Sequence, residues 1–283
     1  KIDSYFLLTF LNHKVDDWKN FAASSRKDPN ITKSDVLAFP LKYPVKEEQT
    51  KIAFFLSAVD EKISQLTQKH ALLSKYKQGM MQKLFSQQIR FKADDGSEFG
   101  EWGEERLGAC ITEFKKRVDS NTKLEIYTSS RNGLRPQKDY FDNRELENNG
   151  EYGVVPAGFF TYRHMSDDAT FKFNINNLSQ EIAISKEYPV FTTNENLDSK
   201  FLYYLLNESK EFKKFALEQK KGGTRTRLYL KVLRDWELCL PTISEQTKIA
   251  NFLSAIDQKI EVVAQQIEQA KQWKKGLLQQ MFV

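Results

Sequence analysis

Residues 245–282 read EQTKIANFLSAIDQKIEVVAQQIEQAKQWKKGLLQQMF, and residues 48–85 read EQTKIAFFLSAVDEKISQLTQKHALLSKYKQGMMQKLF. The two stretches align without a gap at an offset of 197 residues and are identical at 18 of 38 positions, most of them in the first half. A repeat of this length indicates two equivalent structural units in one chain. The sequence is therefore interpreted as two related halves, each ending in one copy of this stretch.

Both copies predict a long amphipathic helix of about 57 Å. Apolar side chains recur at alternating spacings of four and three residues, the heptad pattern of a coiled coil. These seam positions are Ile52, Leu56, Val59, Ile63, Leu66, His70 and Leu73 in the first copy, and Ile249, Leu253, Ile256, Ile260, Val263, Ile267 and Ala270 in the second. The two helices can pair with each other in antiparallel orientation, although a dimerising coiled coil or a bundle helix also fits the pattern.

The start of each long helix differs in one respect. Thr242 and Glu245 have the spacing of a capping box, whereas Val45 occupies the corresponding position before the first helix. A proline precedes each helix, at Pro44 and Pro241.

The repeat also extends upstream of the helices. The sequence DSYFL at residues 3–7 recurs as DSKFL at residues 198–202, so each half contains an apolar helix, a polar basic loop and a short strand before the proline. We predict these strands at Val36–Leu41 and Trp236–Leu240. The first half retains only the end of the domain that precedes its long helix. We expect a helix over residues 3–24 with an uncovered apolar face, which would favour self-association or docking onto another chain.

Composition limits the function classes. The 283 residues include 43 Lys and Arg against 38 Asp and Glu, and the formal net charge of +5 is compatible with nucleic-acid binding. The two cysteines, Cys110 and Cys239, are far apart and form no zinc-binding pattern, which fits a reducing, cytoplasmic setting. No apolar run reaches the length of a membrane span, so no membrane partner is expected.

Residues 103–240 carry the one complete globular domain, after a turn-rich linker at residues 86–102. Strands are predicted at Arg106–Phe114, Glu125–Thr128, Tyr152–Pro156, Thr170–Ile175, Ile182–Ser185 and Pro189–Thr193. Helices are predicted at Asp198–Lys221 and at Asn176–Gln180. Because strands dominate the first part and the clear helix comes late, the fold class is α+β rather than a doubly wound sheet. We assign four segments: a domain remnant at 1–43, the first helix and linker at 44–90, the complete domain at 91–240, and the second helix at 241–283.

No catalytic or metal-binding constellation emerges from the sequence. The three histidines lie far apart, and neither a phosphate-binding loop nor a dinucleotide-binding glycine pattern is present. The sequence also lacks a tetrapeptide for amino-group methylation of a base and a nuclease motif. We therefore expect a non-catalytic chain, with an enzyme of unrecognised site as a remaining hypothesis.

Basic side chains cluster in loops of the complete domain. The run KKGGTRTR at residues 220–227 combines glycines, cations and hydroxyls, which suit contacts to DNA phosphates and base edges. Two further loops surround Asn132-Gly133 and Arg163. Each loop alone is compatible with a solvated surface, but several in one domain favour DNA binding. The candidate DNA-binding residues are Arg131, Arg135, Lys138, Arg163, Lys220, Lys221, Thr224, Arg225 and Arg227.

The pattern P-x-x-x-E-Q-x-K-I-A-x-F-L-S-A-x-D-x-K-I, present twice at an offset of 197 residues, resembles the specificity subunits of bacterial type I restriction-modification systems. The sequence YPVF at residues 188–191, ahead of the helix that begins near Asp198, resembles the same family. So does Gly223-Thr224-Arg225 ahead of a short strand. The resemblance extends from Asp3 to Phe282.

The resemblance implies two target-recognition domains, each reading one half of a bipartite site in double-stranded DNA. It also implies that the two long helices form an antiparallel coiled coil that sets the gap between the half-sites. The implied partners are methyltransferase (modification) subunits and a restriction/translocase subunit. S-adenosylmethionine, ATP and Mg are then expected only on those partner subunits, with no cofactor on this chain.

The half of the repeat in which the two copies match best lies at the domain end of each helix, and we expect the methyltransferase subunits to dock there. The candidate docking residues are Gln49, Lys51, Phe55, Asp60, Gln246, Lys248, Phe252 and Asp257. With its first recognition domain mostly missing, the chain would read half of the site, and a second copy could supply the other half. The alternative is a coiled-coil scaffold that binds protein without DNA readout, and salt-dependent DNA binding would distinguish the two.

Overall fold

The computed structural model describes residues 1–22, 32–141, 150–220 and 224–282, without the side chains of Trp18, Phe21 and Ala22. The chain forms two compact units: unit 1 comprises Lys1–Tyr76 and Asp257–Val283, and unit 2 comprises Lys77–Ile256. The predicted segment boundaries follow the sequence repeat and divide the chain differently, so they stay a prediction. No helix within the described ranges carries an apolar stretch long enough to cross a lipid bilayer.

Both long helices are present and continuous. They are α4 (Lys46–Phe85, 40 residues) and α10 (Ile243–Met281, 39 residues), and each contributes residues to both units. The predicted capping box at the start of α10 is only half formed. The Glu245 backbone nitrogen donates to Thr242 Oγ1 at 3.5 Å, but the Glu245 carboxylate bonds to Arg90 instead of returning to the helix start.

The seam prediction is confirmed. None of the fourteen seam positions is exposed. In unit 1, Lys274 Nζ of α10 donates to both carboxylate oxygens of Asp60 in α4, at 2.6 and 2.7 Å. In unit 2, Leu84 near the end of α4 shares a core with Leu253 near the start of α10. Early residues of one helix thus meet late residues of the other, which makes an antiparallel coiled coil.

Unit 1 is helical. Besides the long helices it contains α1 (Ser4–His13), α2 (Val15–Ala22) and α3 (Lys33–Ala38). The single helix expected over residues 3–24 is wrong in extent, because α1 ends at His13 and the chain turns at Lys14. The basic loop of the first half, at residues 24–30, lies outside the described residues.

The expected uncovered face is not observed on α1. Phe6 and Phe10 are buried, and both pack edge-on against Phe282, with ring centroids 5.3 and 5.4 Å away. Ala53 and Leu56 of α4 complete this cluster. The end of α10 therefore covers the apolar face of α1 inside unit 1. The uncovered face no longer supports self-association, which stays a prediction.

A helix replaces the strand predicted at Val36–Leu41. The helix is α3, and a capping box starts it: Asp35 N donates to Thr32 Oγ1 at 3.2 Å, and Thr32 N donates to the Asp35 carboxylate at 2.8 Å. At an offset of 197 residues the other half also has a helix, α9 (Leu230–Arg234), which is followed by a strand. Residues 39–45 form no strand in the part of the chain that the structure describes.

Unit 2 combines the remaining helices with thirteen strands in the ranges that the structure describes. The helices are α5 (Leu107–Cys110), α6 (Gln137–Tyr140), α7 (Ser199–Glu208), α8 (Lys210–Glu218) and α9. The strands are β1 (Gly103–Arg106), β2 (Ile111–Glu113), β3 (Arg117–Val118), β4 (Tyr127–Ser130), β5 (Gly133–Pro136), β6 (Tyr152–Val155), β7 (Phe160–Tyr162), β8 (Met165–Ser166), β9 (Phe173–Ile175), β10 (Ile182–Ser185), β11 (Val190–Thr193), β12 (Thr226–Arg227) and β13 (Glu237–Leu240).

The strands form small antiparallel sheets rather than one large sheet. The two larger sheets have the orders β2-β11-β7-β9 and β10-β6-β3, and the pairs β1-β13, β12-β8 and β4-β5 stand beside them. Aromatic rings fill the core, as where Phe160 of β7 stacks on Phe191 of β11 with centroids 5.0 Å apart. The α+β class and the combination of one mixed domain with two long paired helices are confirmed.

Three predicted elements of unit 2 differ from the structure. The strand Arg106–Phe114 is interrupted by the helix α5. The helix Asp198–Lys221 is divided at Ser209, whose Oγ accepts from Phe212 N at 3.0 Å and so caps α8. Asn176–Gln180 is not a helix, because the buried Asn176 amide donates to the backbone oxygens of Val155 and Gln180, both at 2.9 Å, and fixes a loop there.

Candidate nucleic-acid interface

The β4-β5 hairpin presents the first candidate loop. Ser130 pairs with Gly133, so the loop consists of Arg131 and Asn132 alone. Ser130 Oγ donates to the Gly133 oxygen at 2.8 Å and accepts from Asn132 N at 3.1 Å. Gly133 has a φ of +106°, a conformation that a side chain would strain. The short, internally bonded loop holds Arg131 at the tip of a defined turn.

The chain turns again after β8, at Asp167 and Asp168, and we refer to these two residues as the acidic turn. Asp168 accepts from Ser166 Oγ at 2.7 Å, from Thr170 N at 3.0 Å and from Arg131 at 2.7 Å. These donors, the Ser166 hydroxyl first, hold the pKa of Asp168 well below its ordinary value. The carboxylate therefore stays charged and orients the Arg131 guanidinium.

The run at residues 224–227 reaches the same turn. β12 pairs with β8 in the register Thr226 to Ser166, and Arg225 Nε donates to Asp167 at 3.0 Å. Asp167, Thr224, Arg225 and Arg227 line one recess beside the turn. A second cavity of about 210 Å³, also lined by Asp167, includes both Arg131 and Arg163 in its lining.

The structure therefore gathers candidates from three separate loops around the acidic turn. We call Arg131, Arg163, Arg225 and Arg227 the arginine cluster. The Arg131 and Arg225 side chains stay 63% and 53% exposed despite their ion pairs. Exposed ion pairs of this kind contribute little to stability, but they fix the direction of a guanidinium that has further N–H groups to donate. Such guanidiniums can bind phosphate or the major-groove edge of guanine.

The other DNA-binding candidates lie apart from the cluster or outside the described residues. Arg135 is exposed on β5, and Lys138 on α6 lies 3.7 Å from the Glu125 carboxylate. Lys220 is exposed just after α8, and Lys221 lies outside the described residues.

A larger basic cleft was missed by the sequence reasoning. It has a volume of about 840 Å³ and, beside the acidic residues Glu113, Glu187 and Asp235, is lined by cationic side chains from several segments of unit 2. These are Arg106, Lys115, Lys116, Arg117, Lys186, Lys231 and Arg234, and we call this surface the basic cleft. The Lys115-Lys116-Arg117 run was visible in the sequence, but the cleft becomes evident only when five segments are brought together.

Aromatic side chains connect the basic cleft to the arginine cluster. Tyr229 lines the cleft, is half exposed, and stacks on the buried His164 ring with centroids 5.3 Å apart. Burial lowers the pKa of His164, so its imidazole is held neutral near pH 7. His164 directly follows Arg163, and Tyr229 comes two residues after Arg227. The basic cleft and the arginine cluster are therefore neighbours in sequence at residues 163–164 and at residues 227–229.

The docking candidates Gln49 and Gln246 are buried and bonded inside the chain. Gln49 Oε1 accepts from Asp3 N at 2.9 Å, and its Nε2 donates to the Pro44 oxygen at 2.8 Å. Gln246 makes the same two bonds, to Asp198 N at 2.8 Å and to the Pro241 oxygen at 2.9 Å. We call this arrangement the glutamine clamp, and it fixes the segment before each helix. Docking by these two residues stays untested, but their amides are already used within the chain.

The remaining docking candidates on α4 are partly accessible. Lys51 is exposed, and the Phe55 ring packs edge-on against Trp273 at 5.8 Å. Asp60 binds Lys274 and accepts from Tyr5 Oη at 2.5 Å. Burial and this bond to Asp60 raise the pKa of Tyr5 to about 12.

On α10 two of the corresponding candidates are contacted by residues 91–94. Lys248 bonds to Asp94, and the Phe252 ring lies 5.5 Å from the Phe91 ring. Asp257 is half-buried.

Comparisons with known proteins agree with this architecture. The family model for the type I restriction modification DNA specificity domain matches residues 1–74 and 169–272, more than half of the chain. The MjaX chain of Methanocaldococcus jannaschii, assigned as a type I restriction enzyme specificity subunit, is 26% identical over 298 residues, covering 98% of this chain and 67% of that protein. The MjaVIII specificity subunit of the same organism is 25% identical over 280 residues, covering 88% and 63%. The chain thus spans about two thirds of the length of these relatives.

Solved structures share the fold. The S subunit of the type I restriction-modification system from M. genitalium superposes with a TM-score of 0.58 at 17% identity, covering 100% of this chain and 73% of that one. A structure from a study of type I R-M complex assembly has a TM-score of 0.53, also at 17% identity, over 99% and 71%. On the extent of the family match, the chain belongs to the type I restriction-modification DNA specificity domain family.

Proposed function

We propose that the chain is the sequence-reading subunit of a type I restriction-modification complex and that unit 2 reads one half of a bipartite DNA site. The observation that carries this proposal is the convergence of the arginine cluster on the acidic turn, next to the basic cleft. A family whose members specify DNA sequence supplies the context.

In this proposal the two basic surfaces divide the work. The lysines and arginines of the basic cleft neutralise phosphates, which provides affinity without sequence information. The arginine cluster reads base edges, with Arg131 and Arg225 oriented by their carboxylate partners before DNA arrives. Such preorientation reduces the side-chain entropy that is lost on binding.

We further propose that the chain is non-catalytic and acts by positioning partner subunits. Methyltransferase subunits would dock on the exposed faces near the starts of α4 and α10. On α4, Lys51 and Phe55 are exposed. A restriction/translocase subunit would join the same complex. S-adenosylmethionine, ATP and Mg would reside on those subunits. A second copy of the chain could supply the reader of the other half-site.

The test compares two double variants that each remove two positive charges from unit 2. Arg225→Ala/Arg227→Ala alters the arginine cluster, and Lys213→Ala/Lys214→Ala alters exposed lysines of α8. In the complex with methyltransferase subunits, we expect the arginine variant to weaken binding to the cognate site by about tenfold or more, since one good bidentate contact discriminates by about 1–3 kcal/mol. The lysine variant should change affinity by about twofold at most.

Filter-binding or fluorescence-anisotropy titrations at several salt concentrations provide the measurement, with the cognate site taken from the methylation pattern of cells that carry the complete system. Equal effects of the two variants would show that the arginine cluster has no special role. A wild-type complex without salt-dependent DNA binding would favour a protein scaffold instead.

A further inference from the structure

The start of α10 binds a separate segment of unit 2 through an ion pair. Arg90 donates to both carboxylate oxygens of Glu245, at 3.0 Å from Nε and 2.6 Å from a terminal nitrogen. Its terminal nitrogen also donates to the Gly100 oxygen at 2.6 Å. Glu245 is fully buried under this contact. The carboxylate in the first turn of α10 thus serves as an anchor for an arginine.

Two further side chains of α10 hold the same segment. Lys248 Nζ donates to the Lys92 backbone oxygen at 2.6 Å and to the Asp94 carboxylate at 2.5 Å. The Phe252 ring packs edge-on against Phe91, with centroids 5.5 Å apart. An acid, a base and a ring at i, i+3 and i+7 on one helix face therefore recognise an arginine, an acid and a ring on the segment.

The start of α4 carries the same three side chains at the same spacing. They are Glu48, Lys51 and Phe55, each at an offset of 197 residues from its equivalent on α10. The glutamine clamp is also the same at both helix starts, within 0.1 Å for each of its two hydrogen bonds. The two helix starts therefore share this clamp as well as the sequence EQTKIA.

On α4 the three side chains of this face are exposed. Glu48 and Lys51 are both exposed, and neither has a hydrogen-bond or ion-pair partner among the described residues. The Phe55 ring, 38% exposed, packs against the edge of Trp273, which is 54% exposed, and the neighbouring Phe54 is 77% exposed. Two opposite charges beside three accessible rings form a surface that complements a segment of mixed charge with one aromatic residue.

We infer that Glu48, Lys51 and Phe55 form a docking site for an extended segment of a partner chain with the order arginine, aromatic residue and, three positions later, an acid. Glu48 binds the arginine, the rings around Phe55 take the aromatic side chain, and Lys51 binds the acid together with a backbone oxygen. This site deepens the docking part of the proposed function by giving the chemistry of the docked segment. It lies in unit 1 and needs no DNA contact.

The probe is a fluorescent peptide with the sequence of residues 88–101, QIRFKADDGSEFGE. In the 283-residue chain the α10 site is already filled by this same segment. We therefore expect saturable binding of one peptide at α4, measured by fluorescence anisotropy. The variant Glu48→Lys/Lys51→Glu should weaken binding by about tenfold or more, because both charge pairs become repulsive. The control Glu47→Lys/Lys62→Glu changes two exposed α4 residues in the same way and should leave binding unchanged.

A charge-swapped peptide tests the pairing directly. This peptide carries Arg90→Glu and Asp94→Lys. It should not bind the wild-type chain, and it should bind the Glu48→Lys/Lys51→Glu variant. Absence of saturable wild-type binding, an equal loss in the control, or no recovery with the swapped peptide would each overturn the inference. So would self-association in sedimentation velocity that the reversed variant abolishes, since a second copy would then be the occupant. Peptide binding is measured on the chain without partner subunits or DNA, so failure here is separable from failure of the DNA-binding proposal, which is tested by substitutions in unit 2.

Discussion

At the scale of single residues, the acidic turn has an unusual position in a surface that is proposed to bind DNA. Asp167 and Asp168 repel phosphate, yet each holds one arginine of the cluster, at 3.0 and 2.7 Å. The two carboxylates weaken the attraction of this surface for phosphate. They also orient the arginine side chains, and an arginine side chain that is already oriented loses less conformational entropy when DNA binds. The same argument explains why Ser166 and Thr170 donate to Asp168: they keep it charged and fixed.

Replacing Asp168 by alanine tests this organisation. The depressed pKa means that the carboxylate contributes stability above its ordinary pKa of about 3.9, and that this contribution is lost as the pH falls below that value. We expect Asp168→Ala to reduce the free energy of unfolding by about 1 kcal/mol at neutral pH, a value discounted for the exposure of the side chain. Urea denaturation should show this difference at pH 7, and a smaller one at pH 3. An equal difference at both pH values would contradict the assigned role of the charge.

Other single residues could not be assigned from the sequence. Gln49 and Gln246 stand in the most similar part of the repeat, which suggested a partner surface. In the structure they form the glutamine clamp, because a backbone nitrogen and a proline oxygen must be satisfied where the chain enters each helix. Identity between two copies of a motif thus reports a shared internal bond as readily as a shared docking residue.

At the scale of elements, the heptad pattern predicted the long helices almost to the residue, because the seam repeats over many turns and one irregular position changes little. Short elements were less predictable. The apolar run in Val36–Leu41 fits a helix or a strand. The capping box of Thr32 and Asp35 starts the helix α3 there, and the equivalent segment of the other half, α9, is also helical. The helix predicted at Asp198–Lys221 was divided by one serine cap. Tertiary neighbours and single caps determine elements of this length.

The seam allows a matched pair of substitutions within α4. Leu56 is fully buried against α1 and the end of α10, whereas Leu72 on the same helix is 66% exposed. We expect Leu56→Ala to lower the free energy of unfolding by about 2–5 kcal/mol, the range for deleting a buried leucine side chain. Leu72→Ala should change it by less than about 0.5 kcal/mol. Thermal unfolding followed by circular dichroism at 222 nm compares the two, and similar losses would mean that the seam does not hold α4 in place.

At the scale of the whole molecule, a formal charge of only +5 conceals how the cations are distributed. Seven of them line the basic cleft, from segments between Arg106 and Arg234, and four form the arginine cluster. Summed composition could not reveal this, because a net charge does not say where the charges of either sign lie. The α+β class follows from local patterns, whereas the candidate interface depends on which loops the fold brings together.

The two basic surfaces should respond differently to substitution. Lys186→Ala/Lys231→Ala in the basic cleft removes phosphate contacts, so it should weaken cognate and non-cognate DNA alike and reduce the slope of log affinity against log salt by about one per lost contact. Arg225→Ala/Arg227→Ala should instead narrow the difference in affinity between cognate and non-cognate DNA, since base contacts carry the sequence information. Titrations of both variants with both DNAs, at four salt concentrations, separate the effects. A cleft variant that loses specificity, or an arginine variant that loses only general affinity, would exchange the roles assigned to the two surfaces.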